Sequence, residues 1–234
     1  MIGAGAVKGA FGFGMASIAV PVAALFMDAR QAVQLMILPT LLGDVLVLGT
    51  ARRGWRLARP AWAFVVSAVV ASVPAAAALN FLPSRTVALM VGFLTVVIAS
   101  ARLVGATMML SPRAAAVASP IAGTVCGGII GASGIGAPIL AAYLSCLALS
   151  PDAMIAAINI TFLLMDLARI LGSGLSGGLQ WVVSDVQLLI LVLVSVGVAL
   201  GVWLRRHTGE RSYERALNLF LLFLGLALIW RFIG

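Results

Sequence analysis

The sequence predicts an all-α, polytopic helical membrane protein made of two inverted repeats. Each repeat is a glycine-broken, re-entrant hairpin segment followed by three transmembrane helices. Three observations carry this expectation. First, 63% of the 234 residues are hydrophobic and only 9% are charged, more apolar surface than a soluble core of this size can hide. Second, Gly123–Leu140, GTVCGGIIGASGIGAPIL, lies inside an apolar run and yet holds six glycines and one proline in 18 residues. A plain spanning helix has no use for them, whereas a broken backbone survives in a bilayer only where protein or a water-filled cavity satisfies it. Third, the pattern recurs: Gly9, Gly12 and Gly14 have the spacing of Gly131, Gly134 and Gly136, each pair 122 residues apart (131 − 9, 134 − 12, 136 − 14). The same offset carries Asp44 onto Asp166, the two acids that fall inside apolar helices.

Taken in order, residues 1–28 form the first glycine-broken segment, with a short first arm. Apolar runs of about 20 residues, enough to span the hydrocarbon core, follow at 31–51, 61–82 and 86–107. Residues 114–149 form the second broken segment, and spans follow at 152–173, 185–204 and 214–233. The chain is one transmembrane domain over residues 1–234, with repeat 1 at 1–110 and repeat 2 at 114–234. No cleavable signal peptide is evident, since the N-terminal segment lacks a charged n-region.

The basic residues set the orientation. Arg52, Arg53, Arg56 and Arg59 form one loop, Arg205, Arg206, Arg211 and Arg215 another, and Arg113 marks a third, whereas 173–184 holds no basic residue. The positive-inside rule places the three basic loops in the cytoplasm and the last loop outside. Two helices separate Arg113 from Arg205, so the segment 114–149 must return to the side it left. Its 36 residues (114 to 149) divide into two arms of roughly 17 each, with the tip near Ser133-Gly134. Helices 31–51 and 152–173 then run in opposite directions, and both termini face outward. Inverted repeats of this kind are characteristic of secondary transporters, with the site at mid-membrane between the repeats.

The net charge of +8 is accounted for by these loops and implies no nucleic-acid partner. Cys126 and Cys146 lie in apolar surroundings and read as packed thiols. His207, the only histidine, stands in a basic loop, so neither a zinc site nor a histidine-dependent catalytic constellation can be assembled. The expectation is no enzyme, no metal and no cofactor.

The stretches GFGMASIAVPVAALF (Gly12–Phe26) and GASGIGAPILAAYL (Gly131–Leu144) resemble the two glycine–proline motifs of the TauE/SafE sulfite exporter family, also called the toluene sulfonate uptake permease family. The resemblance covers the whole chain. It departs at Ala137, where another glycine is common, and in the placing of Pro21 and Pro138, seven and two residues after their glycines. It implies transport of sulfur-containing anions such as sulfite, sulfonates or sulfoacetate across a bacterial inner membrane.

The candidate substrate-binding residues are Lys8, Gly12, Phe13, Gly14 and Ser17 in the first half, and Gly131, Ser133, Gly134, Gly136, Asn159 and Thr161 in the second. The glycines expose N–H groups at helix ends, which favour anions; the plainer alternative is close helix packing through small residues. Lys8 either partners the anion or snorkels to water from a short arm. Asp166 has Arg169 three residues on, which suits a structural ion pair. Asp44 has no local basic neighbour and is the candidate for proton coupling. Asn159, Thr161 and Thr40 offer neutral hydrogen bonds. The reading is a secondary transporter of a small sulfur-containing anion in the lipid bilayer, proton coupling being one form of it; a passive anion channel using the same glycine tips is the alternative.

Overall fold

The computed structural model describes residues 1–50, 61–104, 110–147, 149–176 and 185–205, together with Leu226 and Trp230. The basic loop Arg52–Arg59, His207 and, apart from those two helical residues, the last expected span at 214–233 lie outside the described residues. Those described form ten helices and no strand. They are α1 (Ile2–Phe11), α2 (Met15–Ala24), α3 (Ala29–Leu35), α4 (Ile37–Thr50), α5 (Trp62–Leu79), α6 (Ser84–Val104), α7 (Pro112–Ser133), α8 (Ala137–Ser145), α9 (Pro151–Leu175) and α10 (Asp185–Arg205). Five stretches are long and apolar enough to cross a membrane: Ala29–Gly49, Trp62–Leu79, Arg113–Ser133, Ala153–Leu175 and Gln187–Leu204. The protein is an all-α, polytopic membrane protein.

Helix starts follow from local chemistry. Asp28 caps α3, its Oδ1 accepting from the N–H groups of Arg30 and Gln31 at 2.9 and 3.2 Å. A Ser-Pro pair opens both α7 and α9: the Ser111 and Ser150 hydroxyls accept from the third N–H beyond them, while Pro112 and Pro151 need no donor there.

Both glycine-rich segments are broken where expected, α1 from α2 at Gly12–Gly14 and α7 from α8 at Gly134–Gly136. Their arms differ from expectation. The second segment has arms of 22 and 9 residues, not two of roughly 17, because the Ser-Pro start and the glycine break leave α7 uninterrupted along α5. The helix expected at 31–51 is interrupted at Met36, which divides α3 from α4.

The offset of 122 extends beyond the glycines. It carries α2 (15–24) onto 137–146, against 137–145 observed for α8. Likewise α3 and α4 (29–50) map onto 151–172, against 151–175 for α9, and α5 (62–79) onto 184–201, against 185–205 for α10. Packing exchanges elements between the halves. α1 lies along α10, with Gly5 and Gly9 of one against Gly197 and Gly201 of the other, and α7 lies along α5, with Gly123, Gly127 and Gly131 against Phe64, Ala68 and Ser72. Contacts that advance together in both sequences make each pair parallel. α3 and α4 together run antiparallel to α9, since Thr40 of α4 meets Asp166 while the earlier Val33 of α3 meets the later Arg169.

Small residues permit these approaches. A Cβ on Gly127 would stand 2.1 Å from the Ala68 carbonyl oxygen, whereas one on the adjacent Gly128 would meet nothing within 4 Å. Gly127→Ala is therefore expected to lose about 1–3 kcal/mol by forcing α7 off α5. Gly128→Ala, which gains helix propensity, is expected to be neutral or stabilising. Unfolding of the two variants in detergent, side by side, checks the assignment; equal losses would contradict it.

Candidate functional site

Among the described residues, the buried charges come together where three helices, α1, α4 and α9, meet. Thr40 and Asp44 stand four residues apart on one face of α4, and Phe162 and Asp166 stand four apart on α9. The 122-residue offset relates these pairs, Thr40 to Phe162 and Asp44 to Asp166. Between them opens a pocket lined by Lys8, Gly14, Met15, Ala16, Thr40, Asp44, Gly134, Ala137, Phe162 and Asp166. Both glycine breaks thus reach one cavity. Gly12, Gly14 and Gly134 have φ of 80°, 97° and 71°, values that side-chain-bearing residues rarely adopt, so the breaks depend on glycine. The N-termini of α2 and α8, beginning at Gly14 and Gly136, have no side-chain cap. Met15, Ala16 and Ala137, from the first turns of these helices, line the pocket, so the positive ends of two helix dipoles lie at it, while Pro138 has no N–H to offer.

Two ion pairs stand here, both buried. Lys8 Nζ lies 2.6 Å from Asp44 Oδ1 and 5.8 Å from the centre of the Phe162 ring, a cation–π distance. Arg169 Nη1 donates to Asp166 Oδ1 at 2.9 Å, and Nη2 donates to the Val33 carbonyl at 3.3 Å. The two acids are satisfied differently. Asp166 is bonded at both oxygens, since the Thr40 hydroxyl donates to Oδ2 at 2.6 Å. Asp44 uses only Oδ1; its Oδ2 is buried with no hydrogen-bond partner among the described residues. The cations break the symmetry, because the offset places Ile130 opposite Lys8 and Val47 opposite Arg169.

Asp44 has no basic neighbour within a turn of its own helix, as expected, but it is not a lone carboxyl. Lys8, 36 residues away on α1, pairs with it, which removes the lone-carboxyl ground for assigning it to proton coupling. Lys8 is 3% exposed, so it does not snorkel. The other expected site residues divide into two groups. Gly14 and Gly134 line the pocket with Lys8, and Gly12 caps α1 beside Ile155 and Asn159. Ser17 is buried in the first turn of α2, its hydroxyl without a hydrogen-bond partner among the described residues. Gly131 instead sits against Ser72 of α5, and Gly136 faces the Ile130 side chain. Ser133 braces the break: its hydroxyl reaches the Ile129 and Ile135 carbonyls and accepts from the Ile135 N–H at 3.1 Å. Thr161 is committed to the Ala157 carbonyl, and Asn159 donates to the Ile155 carbonyl through Nδ2 while its Oδ1 is buried without a partner among the described residues. Phe13 is half-buried against the cluster that holds Phe64 and Leu140.

A family model for the sulfite exporter TauE/SafE matches residues 1–228 of the 234. The chain belongs to the TauE/SafE sulfite exporter family. No curated protein and no solved structure matches it. Membership makes this TauE/SafE protein a membrane transporter, with a small sulfur-containing anion as the class of cargo and the lipid bilayer as its surroundings.

Sequence reasoning about this TauE/SafE chain missed Phe162, and it named Thr40 only as a neutral hydrogen-bond donor. The signal was present in the four-residue spacing to each acid and in the offset that superposes Thr40-Asp44 on Phe162-Asp166. Lys8–Asp44 left no local trace, since the partners meet only when α1 packs beside α4.

Proposed function

We propose that the chain is a secondary transporter that carries a small sulfur-containing anion, of the sulfite, sulfonate or sulfoacetate kind, across a bacterial inner membrane. The anion binds where the two glycine breaks meet. One observation carries this reading: two uncapped helix N-termini and the buried Lys8 ammonium converge on a single cavity. An oxyanion there accepts first-turn N–H bonds, lies at the positive ends of two helix dipoles and pairs with a desolvated cation. The Ser17 hydroxyl adds a donor near the first break.

The two halves act as inverted repeats around this cavity. The antiparallel course of α3 and α4 against α9, the exchanged packing of α1 and α7 and the common offset all support that reading, and rocking of one repeat against the other would expose the site to alternate sides. The sidedness follows the basic loops, with the ends of α2 and α5 outside and the start of α7 in the cytoplasm. Phe26 and Phe81 are 83% and 78% exposed at the first two ends, and Arg113 is exposed at the third. Cysteines at 26 and 81 are expected to react with an impermeant thiol reagent applied outside, and one at 113 only from within. Reaction of all three from one side would refute the topology.

Asp44, with one oxygen unengaged, is the carboxyl we assign to proton coupling; Asp166 and Arg169 hold the fold. In proteoliposomes, labelled sulfite is expected to accumulate against its own gradient when a pH gradient is imposed, and a protonophore is expected to abolish the accumulation. A passive channel would equilibrate sulfite and go no further.

A further inference from the structure

The Lys8–Asp44 pair occupies the position an anionic cargo needs. Lys8 Nζ meets Asp44 Oδ1 at 2.6 Å inside the pocket, and its stem lies on Gly43, where a Cβ would stand 2.7 Å from Cδ and Cε. The Lys8 stem is therefore packed against α4. Asp44 Oδ2 is buried with no hydrogen-bond partner among the described residues, so the carboxyl has room for a proton there. The charges around it are few. α1 carries only Lys8 and α3 only Arg30, which donates to the Leu82 carbonyl. α9 presents Asp166 and Arg169, engaged with each other, with Thr40 and with the Val33 carbonyl. α10 has no titratable residue between Gln187 and Leu204, and α2 and α8 have none that bears charge at neutral pH. Arg30 does not line the pocket, so among the described residues Lys8 and Arg169 against Asp44 and Asp166 leave the empty site neutral.

Resting on the transport reading above, we propose that the cargo displaces the Asp44 carboxylate from Lys8, that Asp44 takes up one proton on Oδ2 as it does so, and that the site accepts monoanions in an electroneutral one-to-one symport with that proton. The exchange balances. The Lys8 ammonium–Asp44 carboxylate pair, one monoanion and one aqueous proton become a Lys8 ammonium–anion pair and a neutral Asp44 carboxyl. No covalent bond changes except the O–H formed at Oδ2, and the same proton leaves with the anion on the far side. Neutrality in a low-dielectric interior enforces the coupling. An anion beside an ionised Asp44 would leave a net charge of −1 in the bundle, with two anionic groups sharing one ammonium, which burial penalises steeply. A dianion would leave that excess charge even after Asp44 is protonated. The site thus selects a singly charged sulfonate over a doubly charged sulfate by net charge, whatever its size.

The test uses the purified full chain in proteoliposomes with a pH-sensitive dye inside, methanesulfonate as monoanion and sulfate as dianion. Methanesulfonate remains singly charged throughout the working pH range, so any proton movement belongs to the protein. An inward methanesulfonate gradient is expected to acidify the lumen, one proton per anion. The rate is expected not to change when a potassium–valinomycin clamp varies the membrane potential, and sulfate is expected to move at least tenfold more slowly. Binding of methanesulfonate is expected to weaken about tenfold per pH unit above the Asp44 titration in the wild type and to be independent of pH in Asp44→Asn. Uptake without acidification, uptake that follows the potential, or equal rates for sulfate would each overturn the proposal while leaving the transport function intact. Failure to move any sulfur oxyanion, sulfite included, would overturn the transport reading, and this proposal with it.

Discussion

Arg169→Met is expected to cost about 3–5 kcal/mol of stability, the largest loss expected from any single substitution in this protein. Arg169 and Asp166 are each 2% exposed and paired at 2.9 Å, and the guanidinium also donates to the Val33 carbonyl of α3. Removing the cation leaves Asp166 with the Thr40 hydroxyl alone and orphans a carbonyl on α3. The change also strikes the second glycine break, because Arg169 Nη2 lies 3.0 Å from where a Gly134 Cβ would be. Arg169→Lys is expected to recover only part of the loss, since a point charge cannot reach both the carboxylate and the carbonyl as the planar fork does. Unfolding in detergent, followed by tryptophan fluorescence, checks this; a loss below about 1 kcal/mol for Arg169→Met would mean that the pair is not structural.

Lys8→Gln is expected to reduce anion transport by about 30-fold to 1,000-fold, the range that loss of a desolvated charge partner produces in binding. The single substitution also strands Asp44, buried and 0% exposed, so stability falls as well. The double variant Lys8→Gln, Asp44→Asn separates the two effects. It removes both charges, is expected to recover most of the stability, and remains inactive if Lys8 is the residue that receives the anion. Recovery of both stability and transport in the double variant would mean that the pair only holds α1 to α4.

Much of the architecture was legible because membrane folding is constrained. Apolar runs must be helices, basic loops choose a side, and an unexplained glycine in a span must serve an approach or a break. The two breaks and the offset of 122 came from Gly9, Gly12 and Gly14 against Gly131, Gly134 and Gly136. The roles of individual glycines were less legible, since spacing does not distinguish a glycine that closes on a neighbouring helix from one that opens a site. Gly131 and Gly134 are three residues apart, and only Gly134 lines the pocket, with Gly131 closed on Ser72. The unequal arms of the second segment were hidden because apolar length alone does not say where α7 stops leaning on α5. The contrast between the two acids was expected, but its physical basis is different. Asp44 is not alone; it is a carboxylate with one bonded oxygen and one unengaged, beside another whose two oxygens are both bonded. That distinction depends on Lys8 and Thr40, whose partners lie 36 and 126 residues away and are set by packing.

The central claim is that the cavity between the two glycine breaks receives a sulfur oxyanion through Lys8. It is tested most directly by anion-dependent stabilisation of purified protein, because a ligand that binds only the folded state raises the unfolding midpoint with its concentration. Sulfite, thiosulfate, methanesulfonate and acetate would be titrated against the wild type and against the charge-neutral Lys8→Gln, Asp44→Asn variant. The account predicts that the wild-type midpoint climbs with at least one sulfur oxyanion and that the variant responds to none. A variant midpoint that climbs in parallel with the wild type would contradict it.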